Sequence, residues 1–259
     1  MKIKNDLIYD EIHALKADLY QPDNASKGLI VDIHGGGWFR GDKAKDQDLA
    51  EALVKDGFSV IVPNYRLTPD AYYPAPLDDM DTLYHWIKTS SKLFDSDRIA
   101  VVGSSAGGNM AVEMGIKYEL PIVSLSGILD IDDWLNEHTA VIAQPDHKQD
   151  FTNSKSSEIN QTGQNDAFYK WFVTNYFNGN SDQYSLATPY KHVHSQPGPM
   201  FLANSLNEFV PTSGVLEMAK ILTSKNVPFV EWMLPGTQHA KGYLEIVYPT
   251  VLNFLNQYI

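Results

Sequence analysis

The sequence feature that most constrains the fold is a short apolar run that leads directly into a Gly-x-Ser-x-Gly turn. Residues 98–103 predict a buried strand, and residues 106–118 predict the helix after it, with Ser105 between them. The small neighbours that such a sharp turn requires are Gly103, Ala106, Gly107 and Gly108. We expect the turn to expose the Ser105 hydroxyl above the sheet and to direct the Ala106 N–H at a reacting oxygen.

A second glycine motif, His34-Gly-Gly-Gly-Trp38, follows the predicted strand 28–33. Consecutive glycines let backbone N–H groups approach a ligand oxygen closely, because no side chain is in the way. The alternative is a flexible Gly-rich turn that only connects the strand to the predicted helix 46–55. The bulky His34 and Trp38 at the two ends disfavour it, and two such motifs in one chain favour an acyl-transfer site.

Strands and helices alternate along the chain, which is typical of a parallel α/β sheet covered by helices on both faces. The predicted strands are 7–12 and 15–20, both at an edge, then 28–33, 58–62, 98–103, 122–125, 199–203 and 229–234. The predicted helices are 46–55, 77–90, 106–118, 212–225 and 243–259. Both glycine motifs fall at the carboxyl ends of strands, where active sites lie in such sheets.

We interpret residues 1–259 as a single domain, because no linker interrupts the chain. The alternation breaks at about residues 131–190, which read as a cap-like insertion too poor in aliphatic residues to hold its own core. Within it, residues 168–177 are rich in aromatic side chains. These aromatics either line an acyl pocket or seat the insertion on the sheet, and the sequence leaves both open.

Charge and composition limit the partners. The net charge of -12 and the absence of a basic stripe exclude a nucleic-acid surface. The chain has no cysteine, hence no disulfide or thiolate site. It also has no leader-like start and no apolar run long enough to span a membrane, so we expect a cytoplasmic protein. A small-molecule ester is the expected partner, and the sequence does not specify the oligomeric state.

A serine nucleophile needs a base, and the eight histidines offer several candidates. Chain order Ser, acid, His favours His239, on the loop after the last predicted strand. The acid is expected in residues 204–211, which contain no aspartate. Glu208 is the carboxylate within reach and is our predicted acid. Asn207 beside it is the alternative, which would orient the histidine but leave its cation unpaired.

Other histidines are given different interpretations. His34 belongs to the glycine loop and is expected to shape it rather than to exchange protons. His192 and His194 form a His-x-His pair, but no third ligand stands at a suitable spacing. We therefore predict no metal and no cofactor.

These motifs together resemble the α/β-hydrolase superfamily, and within it the carboxylesterases related to the hormone-sensitive lipase family. The likeness covers about residues 15–259. The matching residues are His34-Gly-Gly-Gly-Trp38, Pro63-Asn-Tyr-Arg66, Gly103-Ser-Ser-Ala-Gly-Gly-Asn109, Val210-Pro211 and His239.

The resemblance implies that Ser105 attacks a carbonyl, that His239 is its base, and that an oxyanion hole forms from the N–H groups of Gly36, Gly37 and Ala106. Two departures matter. Many relatives have aspartate where this chain has Ser104, which places it nearer the small bacterial esterases and kynurenine-formamidase-like members. Alignment through Val210-Pro211 puts Asn207 on the acid position and Glu208 one residue late.

The leading hypothesis is hydrolysis of carboxylic esters through a Ser-His-acid triad and an acyl-enzyme. Short acyl groups are expected, because the chain is short and its insertion is polar. One alternative is an amide or formamide hydrolase of the kynurenine-formamidase type, which would use the same triad. The other is a binding protein that keeps the fold without the chemistry, which the missing aspartate favours.

Overall fold

The computed structural model describes residues 1–90, 93–151, 153–194 and 196–259. Eight strands form one sheet in the order β1-β2-β4-β3-β5-β6-β7-β8. The strands are β1 (Lys2–Asp10), β2 (Leu15–Gln21), β3 (Leu29–Ile33), β4 (Ser59–Pro63), β5 (Ile99–Ser104), β6 (Ile122–Leu125), β7 (Met200–Ser205) and β8 (Phe229–Leu234). Strands β3 to β8 run parallel, and β1 and β2 add an antiparallel edge. The predicted α/β-hydrolase architecture is therefore confirmed.

Helices cover both faces of this sheet. They are α1 (Gln47–Lys55), α2 (Ala75–Thr89), α3 (Ala106–Tyr118), α4 (Asp132–Glu137), α5 (Asp166–Tyr176), α6 (Ser213–Ser224) and α7 (Leu244–Tyr258). Alternate side chains of each central strand point to opposite faces. Accordingly, Leu29 and Val31 join one apolar cluster with α2, α3 and α5, whereas Ile30 joins a second cluster with α1 and α7. None of the helices among the described residues is long and apolar enough to cross a membrane.

The first edge strand differs from its prediction. β1 spans Lys2–Asp10 instead of the predicted residues 7–12. Ile12 lies in the turn that follows, with 89% of its surface exposed. The Asp10 carboxylate causes this early end, because it accepts hydrogen bonds from the N–H groups of Ile12 (2.8 Å) and His13 (3.2 Å). The first half of β1 was missed because its side chains are exposed and show no apolar alternation.

The segment between β6 and β7 contains α4, α5 and several short 3₁₀ turns. Helix α5 begins at an Asn165 cap, whose side chain accepts from the N–H of Phe168. One face of α5 is buried and aromatic, and it includes Phe168, Phe172 and Tyr176. This segment is therefore packed on the carboxyl edge of the sheet through aromatic side chains.

Candidate active site

Ser105 occupies a strained turn between β5 and α3. Its φ of 57° and ψ of -121° lie outside the regions that non-glycine residues usually adopt. The Ser105 N–H donates to the carbonyl of Leu125 at 2.8 Å, which ties the turn to the neighbouring strand. The side chain lines a cavity of about 380 Å³ at the carboxyl edge of the sheet.

Small residues around this turn allow backbone to touch backbone. A Cβ atom added at Gly103 would lie 2.1 Å from the carbonyl oxygen of Gly107. A Cβ added at Gly107 would lie 2.0 Å from the carbonyl oxygen of Ile33, at the end of β3. Gly103 therefore lets α3 pack directly against the end of β5, and Gly107 lets it pack against the strand that carries the glycine loop.

Glycines 36 and 37 line the same cavity as Ser105. Their φ angles are 122° and 60°, in the region that glycine adopts without strain. A Cβ at Gly36 would lie 2.0 Å from the carbonyl oxygen of Arg40, so the loop folds back tightly on itself. Ala106 follows Ser105 as the first residue of α3, where N–H groups of a helix lack partners within the helix.

The two residues that flank the glycines are buried and stacked on aromatic rings. The imidazole of His34 is buried, stacks on Tyr65 at 4.3 Å and contacts the carbonyl of Gly35 through Nδ1 at 2.8 Å. Burial lowers the pKa of His34, which favours a neutral ring. Trp38 is also buried and stacks on Tyr176 of α5 at 4.0 Å. The loop is thus fixed from both ends.

His239 follows β8 and lines the cavity together with Ser105. Its Nδ1 lies 2.5 Å from Oε2 of Glu208, and both side chains are almost fully buried. This arrangement leaves Nε2 as the imidazole nitrogen available to the cavity. Asn207, the alternative acid, is exposed, and its N–H donates to the carbonyl of Gly236 at 3.0 Å.

The second oxygen of Glu208 is held by three donors. Oε1 accepts from Ser126 Oγ at 2.9 Å, from Asn204 Nδ2 at 3.1 Å and from the N–H of Ser205 at 2.9 Å. Such a network orients the carboxylate and compensates its desolvation. Ser126 was missed as a site residue, although its position directly after the carboxyl end of β6 was an available signal.

Gln161, from the segment between β6 and β7, was also missed. Its side-chain oxygen accepts from the N–H of His239 at 2.9 Å, and its side-chain nitrogen donates to the carbonyl of His239 at 3.0 Å. The backbone of the His239 loop is therefore clamped by one amide side chain. No local pattern marks Gln161 in a polar stretch far from residue 239.

Aromatic rings form much of the cavity wall. The rings are those of Phe39, Phe151, Phe168, Phe172 and Phe209. Phe209 packs edge-on against the His239 imidazole with ring centres 4.4 Å apart, which restrains that ring. The α5 aromatics do both things that the sequence left open, because Phe168 and Phe172 line the cavity while Tyr176 stacks on Trp38.

A charge cluster around the buried Lys241 lies next to the His239 loop. Lys241 Nζ lies 2.6 Å from the Asp46 carboxylate and 2.5 Å from that of Asp48. Burial alone would lower the pKa of Lys241, but the carboxylates of Asp46, Asp32 and Asp48 hold it above its ordinary value. Asp32 is fully buried, and among the described residues no group donates to its carboxylate. Burial, then the Asp46 charge, raises the pKa of Asp32 well above its usual range.

The histidine and carboxylate groups with metal-ligating chemistry described next lie away from the cavity. His192 Nε2 contacts Glu113 at 2.7 Å, and His194 Nε2 contacts the carbonyl of Ile116. Both imidazoles are thus engaged by α3. Within the described ranges, the ligand atoms of Asp10, His13 and Asp79 lie within 4.8 Å of one another. The Arg66 guanidinium already occupies this cluster, because it donates a hydrogen bond to Asp79 and contacts His13.

The sheet order, the strained serine turn and the glycine loop at one edge define an α/β-hydrolase fold. The BD-FAE family model matches residues 17–222, well over half of the chain. The protein therefore belongs to the BD-FAE family.

Curated relatives match a shorter region. Versiconal hemiacetal acetate esterase of Dothistroma septosporum is 32% identical over 117 residues, which cover 43% of this chain and 36% of that protein. Carboxylesterase NlhH of Mycobacterium tuberculosis is 33% identical over 111 residues, which cover 41% of this chain and 35% of that protein. The match thus spans about a third of the length of these relatives.

A solved structure extends the likeness to the whole chain at the level of fold. An esterase of Pyrobaculum calidifontis superposes with a TM-score of 0.76 and 21% identity, covering 99% of this chain and 85% of that one. Together with the family model and the curated relatives, this structure confirms the expected resemblance to carboxylesterases of the α/β-hydrolase superfamily.

Proposed function

We propose that this protein is a carboxylesterase that cleaves esters through a Ser105-His239-Glu208 triad. The observation that carries the proposal is one cavity lined by Ser105, His239 and the glycine loop, with Glu208 bonded to the far side of the imidazole. The curated relatives named as esterases support the same activity.

In the proposed reaction, Ser105 Oγ attacks the ester carbonyl while His239 Nε2 takes the hydroxyl proton. Glu208 stabilises the resulting imidazolium through Nδ1. The N–H groups of Gly36, Gly37 and Ala106 are the proposed donors to the oxyanion. The His239 proton passes to the leaving alcohol, and a water activated by His239 then hydrolyses the acyl-enzyme.

The cavity favours short acyl groups in this proposal. A Cβ atom at Gly37 would lie 3.1 Å from the Phe172 ring, so this ring packs closely against the proposed oxyanion loop. The ring therefore limits the space for a long acyl chain beside the loop. The segment 131–190, which supplies Phe168 and Phe172, serves as the cap of a single domain. Activity on p-nitrophenyl esters from acetate to octanoate tests this, with kcat/KM expected to fall as the chain lengthens.

Ser105→Ala is the decisive variant. We expect it to lose p-nitrophenyl acetate turnover by a factor of about 10⁶ in kcat, and to lose labelling by a fluorophosphonate. Ser104→Ala is the matched control, because the Ser104 hydroxyl has no hydrogen-bond partner among the described residues. Equal labelling of Ser105→Ala and the parent would refute the proposal.

The same reagents separate the two alternatives from ester hydrolysis. An amide or formamide hydrolase would label but would prefer formanilides and N-formylkynurenine over the matching esters. A binding protein without chemistry would not label, because its serine hydroxyl would not be activated.

A further inference from the structure

Arg40 contributes a positive charge to the cavity wall. It follows the glycine loop, and its N–H donates to the carbonyl of Gly36 at 3.2 Å. Among the residues that the structure describes, no carboxylate lies within 4 Å of its guanidinium, and the charge that acts on it is that of Asp146, from farther away. A half-buried cation without a close anionic partner destabilises the folded protein, and a bound anion would relieve that cost.

The other cations of the cavity wall are already engaged. Lys241 pairs with Asp46 and Asp48, and Lys45 donates to the carbonyl of Ser154 at 3.1 Å. The cavity carboxylate of Asp42 accepts from the N–H of Ala44 at 2.8 Å and also from Asn64. Arg40 therefore differs from the other charged groups of the wall.

Aromatic faces hold the guanidinium in place. Its central carbon lies 4.5 Å from the ring centre of Phe39, 2.9 Å from that of Phe151 and 5.7 Å from that of Phe168. Stacking on rings occupies the flat faces of a guanidinium and leaves the N–H groups at its edge free to bind a carboxylate with two parallel hydrogen bonds. Burial lowers the pKa of Arg40 to about 9, so the group remains a cation at neutral pH.

We propose that Arg40 forms an anion subsite, and that the substrates of this cavity are esters bearing a free carboxylate. The aromatic wall of Phe39, Phe168 and Phe172 would contact the apolar part of such a molecule, and Arg40 would bind its charged end. This inference rests on the proposed esterase function for turnover, but the binding of the carboxylate is independent of catalysis.

The binding experiment uses Ser105→Ala protein, which is not expected to cleave the ligands. Calorimetric titration compares monomethyl succinate, glutarate and adipate with their neutral dimethyl esters. A carboxylate on the alcohol side is tested with 6-acetoxyhexanoate against its methyl ester. We expect at least one anionic ligand to bind about 10- to 100-fold more tightly than its neutral partner, as one charge-assisted pair allows.

Arg40→Met in the same background should abolish that preference, and Arg40→Lys should retain part of it. Arg98→Met is the matched control, because Arg98 is a surface residue outside the cavity, paired with Asp95. Circular dichroism checks that each variant folds. Equal binding of every acid and its neutral ester, or an acid preference that survives in Arg40→Met, would overturn the subsite.

Turnover gives a second readout. The ratio of kcat/KM for monomethyl adipate to that for dimethyl adipate, measured by pH-stat, should fall by about 10- to 100-fold in Arg40→Met. An unchanged ratio contradicts the subsite. If the parent cleaves none of the esters, the proposed esterase function fails, and the calorimetric comparison still decides whether Arg40 binds a carboxylate.

Discussion

Two buried carboxylates near the carboxyl edge of the sheet have opposite surroundings. Glu208, after β7, receives hydrogen bonds on one oxygen and meets His239 with the other. Asp32, in β3, is fully buried, and no donor among the described residues reaches it. A carboxylate surrounded by donors is fixed in orientation, whereas one that lacks donors responds by a raised pKa. The donors therefore distinguish a carboxylate that is fixed in orientation from one whose pKa is raised by burial and by the Asp46 charge.

The largest expected effect comes from removing the charge of the oriented carboxylate. Glu208→Gln should lower kcat for p-nitrophenyl acetate by about 10³- to 10⁴-fold, because the amide favours the wrong tautomer of His239 and cannot pair with its cation. Folding should be retained, as thermal unfolding would show.

Asn207→Asp is the control for that experiment. It places an aspartate at the exposed neighbouring position. We expect Asn207→Asp alone to have the kcat of the parent, and the double variant to have the kcat of Glu208→Gln. Recovery of activity in the double variant would show that position 207 supplies the acid.

The next effect tests the cluster that surrounds Asp32. Lys241→Met should lower the free energy of unfolding by about 3–5 kcal/mol, because it leaves the buried Asp46 carboxylate without its partner. Urea unfolding measures this change. The exposed pair of Lys220 with Glu217 supplies the control, since Lys220→Met should cost less than about 1 kcal/mol. The addition of Asp46→Asn to Lys241→Met should recover most of the loss, and a double variant as unstable as the single one would contradict the assignment.

The smallest effect concerns Asp32 itself. Because its pKa is raised in the folded state, the folded protein keeps a proton that the unfolded chain loses above a pH of about 4. Stability is therefore lost as the pH rises from about 4 toward the folded pKa. Asp32→Asn removes this pH dependence, so the variant should have a higher Tm than the parent. The gain in Tm should be about 2–4 °C for each kcal/mol of stability recovered. It should be larger at pH 8 than at pH 4. The exposed Asp70→Asn is the control, and an equal gain of Asp32→Asn at both pH values would contradict the interpretation.

The sequence predicted the fold well because its signals are local. Apolar runs such as 28–33 and 122–125 can hardly form anything but buried strands, and Gly-rich turns end them. The first half of β1 was not predicted, because its side chains are exposed and an exposed edge strand does not require alternating apolar residues.

The site was predictable where it depends on local turns and not where it depends on loop paths. Ser105 and the glycine loop follow from residues adjacent in sequence. Whether Glu208 or Asn207 faces His239 depends on the course of one loop, and the clamp by Gln161 joins residues 78 positions apart. The Asp32 and Lys241 cluster likewise depends on the approach of three separate segments.

The contact at Gly107 has a consequence for how the cavity meets its ligands. Because the backbone of α3 touches the end of β3 there with no side chain between them, no rotamer change can widen or narrow that distance. The spacing between the serine and the glycine loop is consequently a rigid dimension of the molecule. Adaptation to ligands of different shape then falls to partly exposed side chains of the cavity wall, such as Phe39 and Phe151.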